Sequence, residues 1–364
     1  EVLDARGEFC RKPAPGFTVE GRLLRSRAYL LATANRFNEL GIEGLPAIPH
    51  QTPDTLLQSL NSPTPPQRLL IIGHTPTAVE LAQSLNRLGL DITLLTSQPM
   101  ILPQEDPETA ALIQAQLEAE GIKLWLNTSI NQFRHIDGKP WAQIGDRAIE
   151  TDLVLMASGQ TPDVAALNLE AAGVRWDAAG IVTNSKLQTT NPRIYACTNP
   201  TNYNARHIDI YRATIATRNA LFLPLLKVKR QLCTWTIATD PTVARIGLTE
   251  LEAQQQYKDI VVLKQPFKIL PKAHLQSETT GFCKLIVRRN GILLGAHLVG
   301  AQADELIGTI ALAMQRNIRV QELSTLPLPA TSFADILRQT ATEWHRQQLQ
   351  ANQGLQDFLE GFFS

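Results

Sequence analysis

Gly73, Thr75 and Ala78 follow an aliphatic run and could together form a turn that holds a phosphate. They fill the three positions of the dinucleotide pattern G-x-G-x-x-G/A, in which small residues let the backbone turn, approach a pyrophosphate and pack a helix on a strand. Thr75 places a Cβ where a phosphate needs bare backbone, and Pro76 removes an N–H from the helix start. The pattern therefore predicts a Rossmann turn, and it leaves open whether the turn binds a nucleotide or serves only as a scaffold.

Polar or small residues also follow the next strands. Thr96 and Ser97 stand where an acid would hold a ribose 2′-hydroxyl or an arginine a 2′-phosphate, so the sequence does not distinguish NADH from NADPH. Gly159 directly follows the apolar run 152–156, where the backbone could approach a ligand or simply turn. His74, inside the first turn, could bind an anion or be an ordinary loop residue.

The cysteines indicate neither a redox dithiol nor a metal site. Cys10, Cys197, Cys233 and Cys283 are widely spaced, and no C-x-x-C or similarly close pair occurs. A local dithiol centre and a zinc knuckle are therefore excluded within this sequence. We predict separate thiols, and we assign no catalytic or metal-binding residue.

Alternating strands and helices position these residues in the first two thirds of the chain. The hydrophobic periodicity predicts a helix that follows Gly73 and ends at Gly89, and a second helix over 107–120 with Asp106 and Glu108 at its start. Buried strands are predicted at 69–72, 91–95, 122–126 and 152–156, and the short strands of a β-meander at 130–134, 141–144 and 148–149. This alternation is typical of a doubly wound α/β sheet.

The segment before the Rossmann turn predicts a hairpin and a connector. Residues 17–19 and 23–31 would form the hairpin arms, and the uncharged stretch 28–34 suits a buried central strand. A proline-rich connector then spans 35–66, with one short helix near 55–60.

The last third of the chain has a different order of predicted strands and helices. A helix predicted over 208–222 precedes a boundary at 223–230, and the later turn Asn290-Gly291 predicts a hairpin. Strands are predicted at 232–238, 245–248, 260–267, 282–288 and 292–299, and helices over 303–316 and 332–350. This pattern indicates an α+β domain.

Composition and charge exclude several classes of partner. The chain has 364 residues, with 34 Lys plus Arg and 34 Asp plus Glu, so its formal net charge is zero. A neutral balance without a long basic run argues against nucleic acid or an anionic membrane surface as the main partner. No apolar run reaches the roughly 18 residues of a membrane helix, and no signal-peptide pattern opens the chain, so we expect a soluble cytoplasmic protein. Because Glu1 is not a Met, we expect a processed or incomplete chain.

Short strings distributed along the chain match one set of known motifs. They are LLATA at 30–34, the Rossmann stretch with Glu80, MASGQTPD at 156–163, IYACTNP at 194–200, ATDPTVARIGLTELEA at 238–253, ETTGFCKLIV at 278–287 and ILLGAHLVGAQADELI at 292–307. Together they resemble the FAD/NAD(P)-dependent pyridine nucleotide-disulfide oxidoreductases, the family of glutathione reductase, dihydrolipoamide dehydrogenase and mercuric reductase. The resemblance implies an α/β fold, with a Rossmann-type nicotinamide domain inserted in a partial flavin domain and a C-terminal α+β dimerisation domain.

The resemblance also implies boundaries, cofactors and a partner. The domains would be a partial flavin domain at 1–62, a nicotinamide domain at 63–185, a returning flavin segment at 186–228, a dimerisation domain at 229–350 and a tail at 351–364. FAD and NAD(P) would be the cofactors, and the chain would form a homodimer. The implied nicotinamide contacts are Gly73, Thr75, Ala78, Glu80 and Gly159, and the implied flavin contacts are Thr33 and Asn199.

Several positions depart from the family pattern. Ala34 and Asn199 stand where the family has the glycine of A-T-G and the aspartate of Gly-Asp, and Gln160 replaces an arginine. Leu328 and Phe333 stand where the family places a histidine acid–base and the glutamate that orients it. The first flavin-domain segment, with its glycine-rich turn and redox cysteine pair, is not found in this sequence, which we expect to lack dithiol chemistry of its own.

Two functions remain open from the sequence. The first is a flavin- and nicotinamide-linked oxidoreductase without dithiol chemistry in the chain as given, of which reduction of quinone or dye-like acceptors would be a variant. The second is a catalytically degenerate member that acts as a dimeric binding or assembly scaffold. The apolar tail, 351–364, would pack on the dimer partner or dock another protein.

Overall fold

The computed structural model describes residues 2–11, 16–177, 179–197 and 205–351, so Asn199 and all of the predicted tail except Ala351 lie outside the described residues. The described chain forms two compact units. Unit 1 comprises the described residues of Glu1–Pro99 and Lys123–Lys229, and unit 2 comprises those of Met100–Ile122 and Arg230–Ser364. The domain boundaries that the sequence suggests remain predictions.

The described residues form the following strands and α-helices. The strands are β1 (Gly7–Cys10), β2 (Gly16–Val19), β3 (Arg22–Leu24), β4 (Tyr29–Leu31), β5 (Asn35–Phe37), β6 (His50–Gln51), β7 (Arg68–Ile72), β8 (Asp91–Leu95), β9 (Lys123–Trp125), β10 (Gln132–Ile136), β11 (Lys139–Ile144), β12 (Arg147–Glu150), β13 (Leu153–Met156), β14 (Gln160–Pro162), β15 (Trp176–Asp177), β16 (Gly180–Ile181), β17 (Ile194–Ala196), β18 (Thr234–Ile237), β19 (Val243–Gly247), β20 (Ile260–Pro266), β21 (Phe282–Arg288) and β22 (Leu293–Val299). The α-helices are α1 (Leu56–Leu60), α2 (Pro76–Arg87), α3 (Pro107–Ala119), α4 (Arg206–Leu221), α5 (Glu250–Gln256), α6 (Pro271–Gln276), α7 (Ala303–Arg316), α8 (Val320–Ser324) and α9 (Asp335–Ala351).

A five-stranded parallel sheet is the centre of unit 1. Its order is β6-β13-β7-β8-β9. One face packs against the antiparallel sheet β10-β11-β12 through Leu70 and Phe133, and α2 contacts β7 and β8. Because both faces are covered, the strands are nearly continuous aliphatic runs, as parallel strands usually are. The predicted Rossmann unit is confirmed, although α2 ends at Arg87, two residues before the predicted Gly89, which has a positive φ and donates its N–H to Asn86 O at 2.9 Å.

The smaller sheets of unit 1 correct two predictions. Antiparallel β1-β2-β3 includes the predicted hairpin, but the second arm does not continue to residue 31. The strand ends at Leu24, and the next strand, β4, pairs in parallel with β17 and not with β2. The prediction of a buried central strand over 28–34 is also wrong for the described chain, because β4 has a single neighbour and Leu30 is 41% exposed.

An antiparallel sheet forms the centre of unit 2. Its order is β18-β19-β22-β21-β20, and the turn at Gly291 joins β21 to β22 as predicted. Helices α7 and α9 contribute Ile310, Leu337 and Trp344 to one core with this sheet. The α/β unit and the α+β unit together confirm the fold class. Among the helices that the structure describes, none combines the length and apolar character needed to cross a bilayer.

Candidate functional site

The carboxyl ends of three neighbouring strands bring the predicted nicotinamide residues together. In the parallel register, Ile72 at the end of β7 lies opposite Met156 of β13 and Leu95 of β8. The turns that follow these strands therefore meet at one edge of the sheet. In doubly wound sheets this edge is where a nucleotide binds, at the point where the strand order reverses.

Gly73 is required here by the close approach of two turns. A Cβ at this position would overlap the carbonyl oxygen of Ala157. The Gly73 N–H donates to Leu95 O at 2.9 Å, and the Ala157 N–H donates to Ile72 O at 2.9 Å. A side chain at residue 73 would therefore force the ends of β7 and β13 apart.

Thr75 turns its side chain into the protein. Its hydroxyl donates to Ala157 O at 2.8 Å and accepts from the Ala78 N–H at 3.3 Å, and only 3% of the residue is exposed. Thr75 is therefore the N-cap of α2 as well as a link to the turn after β13. The sequence identified the lost glycine but did not predict this use of the hydroxyl.

The start of α2 has few amides to offer an anion. Pro76 has no N–H, the Ala78 N–H is taken by the Thr75 hydroxyl, and the Val79 N–H donates to Thr75 O at 3.1 Å. Within the described chain, Thr77 is the one residue of this first turn whose amide has no protein acceptor. A phosphate at this helix end would thus meet fewer donors than at an intact glycine-rich turn.

Ser158 is a site residue that the sequence analysis missed. Its Oγ is buried and has no hydrogen-bond partner among the described residues, directly beside Gly159 and after the fully buried strand β13. Gly159 is also buried, and its carbonyl accepts from the Asn38 N–H at 3.0 Å. A polar residue that follows an apolar strand at the switch point was the available signal. A buried hydroxyl without a partner usually has a functional explanation, such as a ligand or an ordered water.

His74 lies at the same edge and is half-buried. Its Nδ1 is 3.5 Å from Thr96 Oγ1, at the end of β8. Burial lowers the pKa of His74 below its ordinary value, so the imidazole is neutral at pH 7 and acts through hydrogen bonds rather than charge. Ser97, next to Thr96, is exposed, and neither residue carries the charge that would select between NADH and NADPH.

The remaining predicted contacts lie in two places. Ala78 is fully buried on α2, where its small side chain lets the helix approach the sheet. Glu80 lies two residues further along the same helix and is half-buried. Thr33 lies beside a different sheet, two residues after the carboxyl end of β4, which pairs in parallel with β17. Beyond β17, Arg212 is buried on α4 and its Nε donates to Cys197 O at 3.1 Å, which fixes the chain just before the segment that contains Asn199.

The two positions of the family's histidine–glutamate pair have apolar roles in unit 2. Phe333 is 3% exposed and belongs to the core, with its ring centroid 6.1 Å from that of Phe267. Leu328 is half-buried in the segment between α8 and α9. Neither side chain can transfer a proton or orient an imidazole.

The residues at the parallel-sheet edge fit a nicotinamide nucleotide. The Thr77 amide at the start of α2 and the partnerless Ser158 hydroxyl after β13 lie at the same edge of the sheet, where His74 adds a neutral hydrogen-bonding group. Thr33 fits a flavin contact only by its position at a strand end, since parallel strands bind dinucleotides at that end.

Comparisons with known proteins agree with this geometry. Residues 2–215 match the family described as pyridine nucleotide-disulphide oxidoreductase, and residues 233–341 match the dimerisation domain of that family. A mercuric reductase from Staphylococcus aureus is 30% identical over 331 residues, which cover 89% of this chain and 60% of that enzyme. A dihydrolipoyl dehydrogenase from Thermus scotoductus is 32% identical over 299 residues, which cover 78% of this chain and 63% of that enzyme.

Solved structures show the same fold. The HOCl-induced flavoprotein disulfide reductase RclA from Escherichia coli superimposes with a TM-score of 0.82 at 25% identity, covering 94% of this chain and 79% of that protein. The chain spans between about half and two thirds of the length of the curated relatives it matches.

Proposed function

Because the chain belongs to the pyridine nucleotide-disulphide oxidoreductase family, we propose that it binds FAD and NAD(P) and transfers reducing equivalents between them. The observation that carries this proposal is the parallel-sheet edge, where the Gly73 turn, the Thr77 amide and the Ser158 hydroxyl meet. When bound, the nicotinamide supplies a hydride and the flavin accepts it. The proposal includes the boundaries suggested by the sequence, with a nicotinamide domain at 63–185 between flavin segments.

The chain's own residues hold and orient the nucleotide in this proposal. The Thr77 N–H would donate to a phosphate oxygen, and the Ser158 hydroxyl to another polar group of the same ligand. Gly73, Thr75, Ala78 and Glu80 would shape the turn on which the nucleotide lies. Gly159 would let the backbone approach the ligand, and Thr33 and Asn199 would contact the flavin.

The cysteines of this sequence contribute no redox dithiol of their own to the proposed reaction. All four are free thiols, and Cys197 and Cys283 are buried. Burial raises the pKa of Cys197 above its ordinary value and that of Cys283 to about 12, so both thiols are protonated and unreactive at pH 7. Free thiols are also the state expected in a reducing compartment, and we place the protein in the cytoplasm.

A homodimer formed through unit 2 completes the proposal. Residues 233–341 match a dimerisation domain, and two helices of this unit expose large apolar side chains. Leu275 on α6 is 75% exposed and Leu312 on α7 is 55% exposed. Exposed apolar side chains of this size are typical of protein–protein interfaces when they form a patch. The mass in solution tests this part, since a monomer at micromolar concentration would contradict it.

The absorption spectrum of the purified protein is the decisive experiment for the function. We expect a bound flavin that is bleached when NADH or NADPH is added without oxygen. Ser158→Ala should weaken nucleotide binding, so that half-bleaching needs a higher concentration, whereas Ser185→Ala, at an exposed serine outside the turns of this sheet edge, should leave that concentration unchanged. A folded protein that binds no flavin when FAD is supplied in excess would refute the proposal.

A further inference from the structure

A cavity lies in unit 1, and none of the described predicted cofactor residues lines it. Its volume is about 550 Å³, and it opens where the segments that lead into β4 and β17 run side by side. Thr33 and Cys197 follow the opposite, carboxyl ends of those strands. The lining includes Phe9, Arg11, Arg25, Tyr29, Asn191 and Arg193.

The lining carries positive charge without compensation. Arg11, Arg25 and Arg193 contribute guanidinium groups, and no lining residue is acidic. Within the described chain the guanidinium groups of Arg25 and Arg193 form no hydrogen bond or ion pair. Arg11 donates only to backbone carbonyls, from Nε to Ala171 O at 3.1 Å and from Nη2 to Glu170 O at 3.0 Å.

Several other arginines of this neutral protein are paired with acidic residues. Arg68 lies 2.8 Å from a Glu150 carboxylate oxygen and 2.6 Å from an Asp152 carboxylate oxygen. Arg245, Arg288 and Arg338 also lie within ion-pair distance of acidic residues. Arg11, Arg25 and Arg193 are exposed and therefore accessible to a ligand, and an anion bound between them would supply the negative charge that the cavity lining lacks.

Hydrogen bonds fix the backbone that carries two of these arginines. Tyr29 Oη donates to Leu24 O and accepts from the Ser26 N–H, both at 3.1 Å, and so holds the loop that contains Arg25. The Asn191 side chain accepts from the Arg193 N–H at 3.1 Å and donates to Ala172 O at 2.8 Å. The positions of both loops are therefore set before any ligand binds, which lowers the entropic cost of binding.

We propose that this cavity binds a small organic diphosphate, such as a nucleoside diphosphate. Its volume lies in the range of about 300–1,000 Å³ that is usual for small-molecule sites. Guanidinium groups bind phosphate oxygens in a bidentate manner. The three guanidinium groups together offer more charge and more donors than a single carboxylate could pair with, which favours a diphosphate. Phe9 and Tyr29, packed edge to face at 5.5 Å, give the cavity an apolar wall for the organic part of the ligand.

Calorimetric titration of the full chain with ADP tests the proposal. The double variant Arg25→Gln/Arg193→Gln should bind ADP at least tenfold more weakly, and inorganic pyrophosphate should compete with ADP for the wild-type site. Arg134→Gln is the matched control, because Arg134 is an exposed arginine of β10 without a side-chain partner in the described chain. This control should bind ADP like the wild type.

Hydrogen exchange then locates the site. ADP should slow exchange in peptides that cover 24–29 and 190–194, and this protection should disappear in the double variant. Protection confined to 73–80, or equal ADP affinity in the double variant and the wild type, would overturn the proposal because ADP would then bind at the Rossmann turn. Absence of ADP binding at millimolar concentration would overturn it as well.

Discussion

Thr75 decides how many donors the start of α2 offers to a phosphate. Its hydroxyl occupies the Ala78 N–H, and its Cβ stands at the position where an intact turn has bare backbone. Thr75→Gly should free that amide and lower the Kd for NAD(P)H about tenfold, since a hydrogen bond to a charged group contributes roughly 1.5–3 kcal/mol. Fluorescence titration with NADH and NADPH measures the change.

The same substitution should lower stability, because it removes the bond to Ala157 O and the cap of α2. We expect a loss of about 1 kcal/mol in the free energy of unfolding. Thr75→Ser keeps the hydroxyl and should resemble the wild type in both affinity and stability. Unchanged or weaker nucleotide binding by the glycine variant would show that the hydroxyl does not compete with the ligand.

Lys284 is a buried cation of unit 2. Its Nζ lies 3.0 Å from Asp106 Oδ2, 2.8 Å from Glu108 Oε2 and 2.6 Å from Glu250 Oε2, and the side chain is 3% exposed. Burial alone would lower the Lys284 pKa, but the hydrogen bonds to these carboxylates outweigh it and raise the pKa above its ordinary value. The stabilisation is therefore present at neutral pH and is lost only as the pH rises above the ordinary lysine value of about 10.5.

Lys284→Met should be strongly destabilising because it leaves Asp106 fully buried and without its cation. We expect a loss of about 3–5 kcal/mol in the free energy of unfolding at pH 7, measured by urea denaturation. Lys264→Met removes a more exposed partner of Glu108 and should cost less than about 1 kcal/mol. Equal losses in the two variants would contradict this account of the cluster.

His297 makes unit 2 sensitive to mild acid. It is 1% exposed, its Nε2 lies 3.2 Å from Leu248 O, and burial lowers its pKa to about 4. The unfolded chain therefore takes up a proton near pH 6.5 that the folded chain resists, and stability is lost as the pH falls from about 6.5 towards 4. Wild-type protein should lose up to about 3 kcal/mol over this interval, measured by urea denaturation at several pH values.

His297→Gln provides the comparison, because an amide can still donate to Leu248 O but does not titrate. Its stability should change less than that of the wild type between pH 6.5 and 4.5. Glu108 adds a loss at lower pH: burial raises its pKa, but hydrogen bonds from Lys264 and Lys284 outweigh burial and lower it below its ordinary value. An identical loss of stability between pH 6.5 and 4.5 in the wild type and in His297→Gln would exclude His297 as the cause of that loss.

The segment between α8 and α9 is a structural element rather than a catalytic one. Phe333 packs on Phe267 in the core, whereas Leu328 is half-buried. Phe333→Glu, the residue of the family pattern, should destabilise unit 2 by at least about 3 kcal/mol, because it removes a core ring and buries a carboxylate. Leu328→His should be tolerated within about 1 kcal/mol. Thermal unfolding separates the two, and a stable glutamate variant would contradict the core assignment.

Periodicity predicted the elements well where one pattern dominated. The helix over 303–316 and the strand over 282–288 have the predicted bounds, because their apolar faces are continuous and their ends are marked by turn residues. The predicted strand over 23–31 failed for a tertiary reason: its two halves pair with different partners, β2 and β17, and no local pattern shows that. Short helices α5, α6 and α8 were also missed, since each is too brief to show a period.

The site was predictable in position but not in its hydrogen bonding. Gly73, Thr75 and Ala78 lie where the spacing placed them, at the start of α2. The partnerless Ser158 hydroxyl depends on how β13 lies beside β7, a contact between residues more than 80 positions apart. Sequence spacing describes neighbours along the chain, whereas such contacts depend on sheet order.

At the scale of the molecule, the described chain divides its apolar interior between the units. Leu70, Phe133 and Val154 belong to a core of unit 1, while Phe267 and Phe333 belong to the core of unit 2. The Lys284, His297 and Phe333 substitutions therefore act on unit 2, and the Thr75 substitution acts on unit 1. Effects of substitutions in separate cores, without shared partners, are usually additive.

Dimerisation through unit 2 should make its unfolding depend on protein concentration. A folded dimer is favoured over unfolded monomers by mass action, so dilution should lower the melting temperature of the unit that carries the interface. We expect the transition that Phe333→Glu displaces to shift down on a hundredfold dilution, while the transition that Thr75→Gly displaces stays constant. Calorimetry at several concentrations measures both. If neither transition moves with dilution while the protein remains a dimer by mass, folding and association are uncoupled, and the dimer contact does not stabilise unit 2.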